Sequence, residues 1–438
     1  MSNTVTRTRG TTVKSIRKVV AAGLVGGALV LTSACGGSGG SGGGTAAKAE
    51  LGAGGTAGVP SSAAPAGGQA SGAPAPAPAA GAATAAAPKV SQAVVDIQPK
   101  SGAVDVAPDG SLKVAVSGGK LTTVKVSDRT GKEVAGTLAA DGASWSPSGP
   151  LAVGTAYQVS ALAADAGGVV ASADSSFTTL TPEREAKASD NIQDNATYGV
   201  GMIVSVAFDK DVKNKDAVAR GISFETSDGT VLKGHWFGNR RLDFRPEKYW
   251  TPGTKVTAKY RLKSVEIAPG VYGGVDRDEP FTIGRSQVST VDAKTHRMTV
   301  VRDGQSSEVE ITSGSAEHPT WNGTMVVMSK EGVVRMQSST LPGMTGAPYD
   351  LQVPHSMRLT DTGTYVHGNY WSNAFGEDNV SHGCVGLKDV KGGGAATSAG
   401  QFYDGSIIGD VVTVRNSTRG QVAPDNGLSG WNVDWSAW

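Results

Sequence analysis

Two residue types carry the chemistry this sequence offers: a thiol at Cys384 and the imidazoles near it, in Tyr365-Val-His367-Gly368 and Ser381-His382-Gly383-Cys384-Val385. The thiolate is the nucleophilic form of cysteine, and a nearby imidazole both lowers the thiol pKa and accepts its proton. His382 lies two residues from Cys384. Along a strand it faces the same way as the thiol but cannot easily turn onto the sulfur, whereas a histidine on a neighbouring strand can. His367 is therefore read as the general base, and His382 as a shaping or hydrogen-bonding residue. Gly383 permits close substrate approach and leaves backbone N–H groups for an oxyanion hole. Two other readings stand beside this one. His355, His367, His382 and Cys384 are zinc-ligand types, although their spacings match no compact zinc pattern. A buried free cysteine among satisfied core histidines is the plainer alternative.

These residues must be positioned by strands. Val288-Ser-Thr-Val291, Arg297-Met-Thr-Val-Val301, Glu308-Val-Glu-Ile311 and Thr324-Met-Val-Val-Met328 make 286–438 a mainly β stretch. Upstream, Leu112–Val116, Leu121–Val126 and Tyr157–Leu162 alternate apolar and polar residues between turn signals such as Asp109-Gly and Ser117-Gly-Gly, the pattern of an antiparallel sandwich. The pattern repeats. Trp145-Ser-Pro147, Gly154-Thr155 and Phe177-Thr178 return as Phe244-Arg-Pro246, Gly253-Thr254 and Phe281-Thr282, at an offset of 99 to 104 residues. Two immunoglobulin-like β-sandwich domains are expected, over 90–182 and 183–285. Trp236, Tyr249 and Trp250 in the second are read as core or inter-domain contacts rather than ligand-stacking residues.

The amino terminus reads as an address. Five basic residues up to Lys18 precede a 13-residue apolar run, Val19–Leu31, and small residues before Cys35. This is a secretory signal, too short for a membrane span of about 20 apolar residues. Thr32-Ser-Ala-Cys35 resembles a bacterial lipobox, departing from it at Thr32 where leucine is usual. The resemblance implies a diacylglyceryl group on Cys35, a lipid anchor and placement on the extracytoplasmic face of the cell membrane; simple secretion is the alternative. Of residues 36–88, 45 of 53 are Gly, Ala, Pro or Ser, so 36–89 is expected to be a disordered tether, with a reach of about 40 Å r.m.s.. Beyond residue 35 there are 35 basic and 39 acidic residues, which disfavours a nucleic-acid partner. With two cysteines, a disulfide scaffold is excluded. A lone thiol surviving in an oxidising compartment suggests a use for it.

His367-Gly368, a 12-residue loop and Ser381-His382-Gly383-Cys384-Val385 together resemble the signature of the L,D-transpeptidase catalytic domain. Thr320-Trp-Asn-Gly323, Met336-Gln-Ser-Ser-Thr340 and Tyr349, 18 residues before His367, are similar to further segments of that family. The Trp-rich end (Trp431, Trp435, Trp438) resembles the extension of the lipoprotein class with two immunoglobulin-like domains. The implied architecture is mainly β: signal peptide 1–35, tether 36–89, the two sandwiches, a β-rich catalytic domain over 286–416 and a C-terminal extension over 417–438. Two departures stand out. Gly386 occupies a place where the family commonly has Arg or Asn, and Lys391–Gly400 is Gly-rich where the family places a helix, so Thr397–Tyr403 is expected to form a turn or two.

The resemblance implies a reaction. The Cys384 thiolate attacks the carbonyl between the diamino acid and D-Ala of a peptidoglycan tetrapeptide stem, D-Ala leaves, and an amine of a neighbouring stem resolves the thioester into a 3→3 cross-link. His367 is the proton donor and acceptor, oriented by the Gly368 carbonyl. Ser381, His382 and Gly383 complete the catalytic set, with N–H groups around Gly383 and Cys384 at the oxyanion. Tyr349, Thr362, Gly363 and Gly386 are assigned to the donor stem, and a lid carrying Tyr349 and Pro354 is expected to exclude water. No metal or organic cofactor is implied, and carbapenem-type β-lactams are implied as inhibitors. An L,D-carboxypeptidase that hydrolyses the same thioester, and a non-catalytic wall-binding lipoprotein, are the alternatives. The Trp-rich tail is expected to pack between the catalytic domain and the second sandwich rather than to bind glycan.

Overall fold

The computed structural model describes residues 89–338 and 348–438. The signal segment, the lipidation site Cys35 and the tether up to residue 88 lie outside the described residues, as does 339–347. Among the described residues no helix is long and apolar enough to cross a membrane.

Strict alternation builds the first sandwich. In Ala156–Asp165, Tyr157, Val159, Ala161 and Ala163 turn inward while Gln158, Ser160 and Leu162 face out, as a half-buried pleated strand requires. Two four-stranded sheets close on these residues together with Trp145, Leu151 and Phe177. The second sandwich repeats the plan over 188–283, with Phe244 and Phe281 buried where Trp145 and Phe177 are buried in the first. The repeated aromatics are thus core positions. Trp250 is also core, its Nε1 donating to the Met202 carbonyl.

The remaining strands form one nine-stranded sheet. In chain order they are β1 (Gln287–Asp292), β2 (Arg297–Arg302), β3 (Gln305–Thr312), β4 (Gly323–Val326), β5 (Ser329–Gln337), β6 (Asp350–Arg358), β7 (Tyr365–Asn369), β8 (Val385–Lys388) and β9 (Val411–Arg415). Their spatial order is β4-β9-β1-β2-β3-β8-β7-β6-β5. Only β1/β9 and β7/β8 pair in parallel. The Gly-rich segment after β8 does end in a helix, Ser398–Gly405. Thr397 caps it by accepting from the Gly400 N–H, and Ala399 and Phe402 are buried against the sheet.

The second sandwich and the nine-stranded sheet share one core. Val326 and Leu428 are buried in the same cluster as Val204, Val206 and Leu242, with Met328, Ile408 and Trp431 packed on it. Backbone joins backbone here: the Gly199 and Gly201 N–H groups donate to the carbonyls of Ile408 and Gly409. A Cβ on Gly199 would lie 2.5 Å from the Asp410 nitrogen, so only glycine fits this seam. The C-terminal extension closes the junction. Trp431 Nε1 donates to Gly201 O and Trp438 Nε1 to Lys233 O. The Arg245 guanidinium lies over the rings of Trp431, Trp435 and Trp438 at 4.8, 5.3 and 4.4 Å from their centroids. Tyr249 meets Trp431 edge-on. These aromatics are structural ties, as the sequence suggests.

Candidate active site

β7 is buried along its whole length between β6 and β8. The parallel pairing of Val366 with Val385 and of His367 with Gly386 sets His367 beside the strand that Cys384 enters. The turn into that strand needs glycine for its backbone: Gly383 has φ +112°, a region L-residues rarely adopt, and a Cβ there would make only ordinary contacts, with the His318 and Pro319 carbonyl oxygens at 3.7 and 3.9 Å. Ser381 holds the turn, its Oγ donating to the Cys384 carbonyl at 2.6 Å and accepting from the Gly383 N–H at 3.2 Å. The Gly383 N–H is thus engaged within the turn itself. The loop before the turn is pinned by Asn379, whose Oδ1 accepts from Ser313 N and Oγ and whose Nδ2 donates to Ala293 O.

His367 and Cys384 line one cavity of about 290 Å³, together with Tyr349, Asn369, Trp371 and His382. A larger groove over β2 and β3, about 740 Å³, offers no thiol or imidazole; residue chemistry rather than size selects the first. His367 is buried, and its Nδ1 contacts the Gly368 carbonyl at 3.0 Å. With the proton assigned to Nδ1, Nε2 is the free base. Trp371 stacks on the imidazole at 5.8 Å with planes 21° apart. Burial lowers the His367 pKa, opposed by the Gly368 carbonyl and the Asp389 charge. Burial pushes the Cys384 thiol up to about 11. That rise is opposed by a hydrogen bond from the Tyr365 backbone, and Sγ itself donates to the Gly363 carbonyl at 3.7 Å. Both shifts favour the neutral forms, thiol and imidazole.

The third element of the site was not read from sequence. Gly368 has no side chain because the Asp389 carboxylate stands in its place: a Cβ there would be 1.9 Å from Asp389 Oδ2. Asp389 is itself held by His355 Nδ1 at 2.7 Å, by the N–H groups of Val390 and Gly394, and by Thr397 Oγ1. His355 is thus a supporting residue on the far side of β7, with φ +51°, and does not share the cavity of His367 and Cys384. Among the described residues no cluster of three metal-ligand types forms.

The other predicted residues are distributed as follows. The His382 ring lies between those of His318 and Tyr349, each 5.0 Å away, which places Tyr349 and His382 together at the cavity. Pro348, not Pro354, shares that wall. Pro354 lies within β6 next to Val353, which lines the cavity, and strand alternation turns it to the opposite face, beside Gly393. Gly363 meets the sulfur only through its carbonyl, and Thr362 Oγ1 accepts from Asn426 Nδ2 in the C-terminal extension; neither lines the cavity. Gly386 is buried, its missing Cβ 2.9 Å from the Thr312 methyl, so it offers a stem no side chain.

The chain is similar to known proteins. Residues 286–392 match the L,D-transpeptidase catalytic domain family, and residues 103–266 match a bacterial Ig domain. The chain is 31% identical to L,D-transpeptidase 2 of Mycobacterium tuberculosis over 355 residues, covering 80% of this chain and 84% of that protein. It is 28% identical to L,D-transpeptidase 5 of the same species over 351 residues, 78% of this chain and 75% of the relative. A solved structure of the LD transpeptidase LdtMt1 in complex with imipenem aligns at 29% identity over 52% of this chain and 97% of that one, with a TM-score of 0.44.

Proposed function

The chain belongs to the L,D-transpeptidase family, and we propose that its cross-linking reaction runs through a thioester on Cys384 with His367 moving the protons. One observation carries this assignment: the only thiol among the described residues opens into the same cavity as a buried imidazole whose Nδ1 faces a backbone carbonyl. When a donor stem fills the cavity, His367 Nε2 takes the Sγ proton as sulfur adds to the carbonyl carbon, and the Cys384 N–H faces the developing oxyanion. The imidazolium then gives its proton to the departing amine of D-Ala as the C–N bond breaks. In the second half, His367 takes a proton from the acceptor amine as that nitrogen attacks the thioester, and the thiol is regenerated with the 3→3 amide formed. Tyr349, with His382 and Trp371, walls the cavity and limits water, the competing acceptor.

The same thiol is the proposed site of acylation by carbapenem-type β-lactams, whose strained amide is an acyl donor of the same kind. A lipid anchor on Cys35, with the enzyme reaching the wall on its Gly/Ala/Pro tether, is proposed from the sequence; Cys35→Ala should then leave the membrane fraction, and its retention there would overturn the anchor. The enzymatic reading is tested with a disaccharide-tetrapeptide donor and a second stem as acceptor. A 3→3 dimer with release of D-Ala is expected. Tripeptide alone, with acceptor in excess, would make this an L,D-carboxypeptidase instead.

A further inference from the structure

Asn369 ends β7, two residues after His367 and on the same face. It is 2% exposed, yet it lines the cavity that holds Cys384. Its Oδ1 accepts from the N–H groups of Trp371 and Ser372, at 3.1 and 3.2 Å, which sets the orientation of the amide. Nδ2 then projects over Gly386, 3.3 Å from where a Cβ of that residue would lie. Among the described residues Nδ2 has no hydrogen-bond acceptor, so the amide is held by its oxygen while its donor end is left to the cavity, where a ligand oxygen can meet it.

We infer that Asn369 Nδ2 is a substrate-binding donor that meets a carbonyl or carboxylate oxygen of the donor stem in the cavity it lines with Cys384. Nδ2 can only donate, and an extended peptide stem presents acceptors along its length. His367 and Asn369 lie on one face of β7 and line the same cavity as Cys384, so a stem whose scissile carbonyl sits at the sulfur passes over Nδ2. The inference rests on the assignment of Cys384 as nucleophile.

The test uses the full chain carrying Asn369→Asp. The carboxylate keeps an oxygen for the Trp371 and Ser372 N–H groups and nearly the same volume, but it loses the donor. Three quantities are compared with wild type: kcat/KM for the disaccharide-tetrapeptide, the alkylation rate of Cys384 by iodoacetamide, and the Tm. The expected result is a fall of about tenfold in kcat/KM, the size of one lost hydrogen bond, with alkylation and Tm unchanged. A kcat/KM within about twofold of wild type, or a parallel loss of alkylation, would overturn the inference, because a purely structural role moves both rates. Should N369D fail to fold, N369A is read by the same ratio of the two rates. Cys384→Ala runs alongside: turnover surviving in that variant would overturn the nucleophile assignment and not the role of Asn369.

Discussion

Replacing His367 with glutamine is expected to lower the rate of donor acylation by about 10²–10⁴-fold, the usual contribution of a positioned acid–base group. Glutamine approximates the volume of the buried imidazole but cannot accept and return a proton at neutral pH. The charge state of the resting pair makes the prediction sharper. A thiol pushed up to about 11 beside an imidazole whose pKa is lowered by burial holds no standing thiolate–imidazolium ion pair. In wild type, alkylation of Cys384 by iodoacetamide should therefore climb about tenfold per pH unit from neutrality upward, with no plateau before the thiol itself titrates. His367→Gln should leave that slope in place while removing acylation by the stem. A plateau near neutral pH that His367→Gln abolishes would show a preformed ion pair, and a loss of acylation below tenfold would remove His367 from the proton path.

Gly368→Ala is the second large effect, and it acts through packing. The new methyl carbon would stand 1.9 Å from Asp389 Oδ2. That carboxylate is buried and tied by His355, Thr397 and two backbone N–H groups, so it has no free direction in which to move. Overpacking against a fixed group should cost about 3 kcal/mol, read as a lower midpoint in urea, and β7 should shift enough to displace the Gly368 carbonyl from His367. A double-mutant cycle with Asp389→Ala identifies the cause: the two losses should be clearly less than additive, because removing the carboxylate makes room for the methyl. Additive losses, or a Gly368→Ala variant of wild-type stability, would contradict the contact.

These two positions mark what the sequence discloses and what it withholds. Cys384 and His367 are legible because their chemistry requires proximity and because the Ser-His-Gly-Cys string is specific. The orienting role of the Gly368 carbonyl is legible too, since glycine has only its backbone to offer. Asp389 is not: nothing in Lys388-Asp389-Val390 says that its carboxylate occupies the vacancy at Gly368, a fact of strand pairing across β7 and β8. Asn369 is hidden for the same reason, because its meaning depends on the cavity it lines with Cys384. Pro354 lies five residues from Tyr349, yet the alternation of β6 turns it to the opposite face, beside Gly393. The sandwiches are visible through apolar alternation and the recurrence of Trp145 and Phe177 as Phe244 and Phe281. The union of the second sandwich with the nine-stranded sheet depends on backbone contacts between Gly199, Gly201 and 408–410, which leave only two glycines as a trace.

The central claim, a covalent acyl intermediate on Cys384, is tested most directly by intact-protein mass spectrometry of the full chain mixed with a disaccharide-tetrapeptide, followed by peptide mapping. The predicted result is a mass increase equal to the stem less D-Ala, mapped to Cys384, absent in Cys384→Ala and discharged by an acceptor stem. Cross-linked product forming at wild-type rate in Cys384→Ala, or an adduct mapped to any other residue, would contradict it.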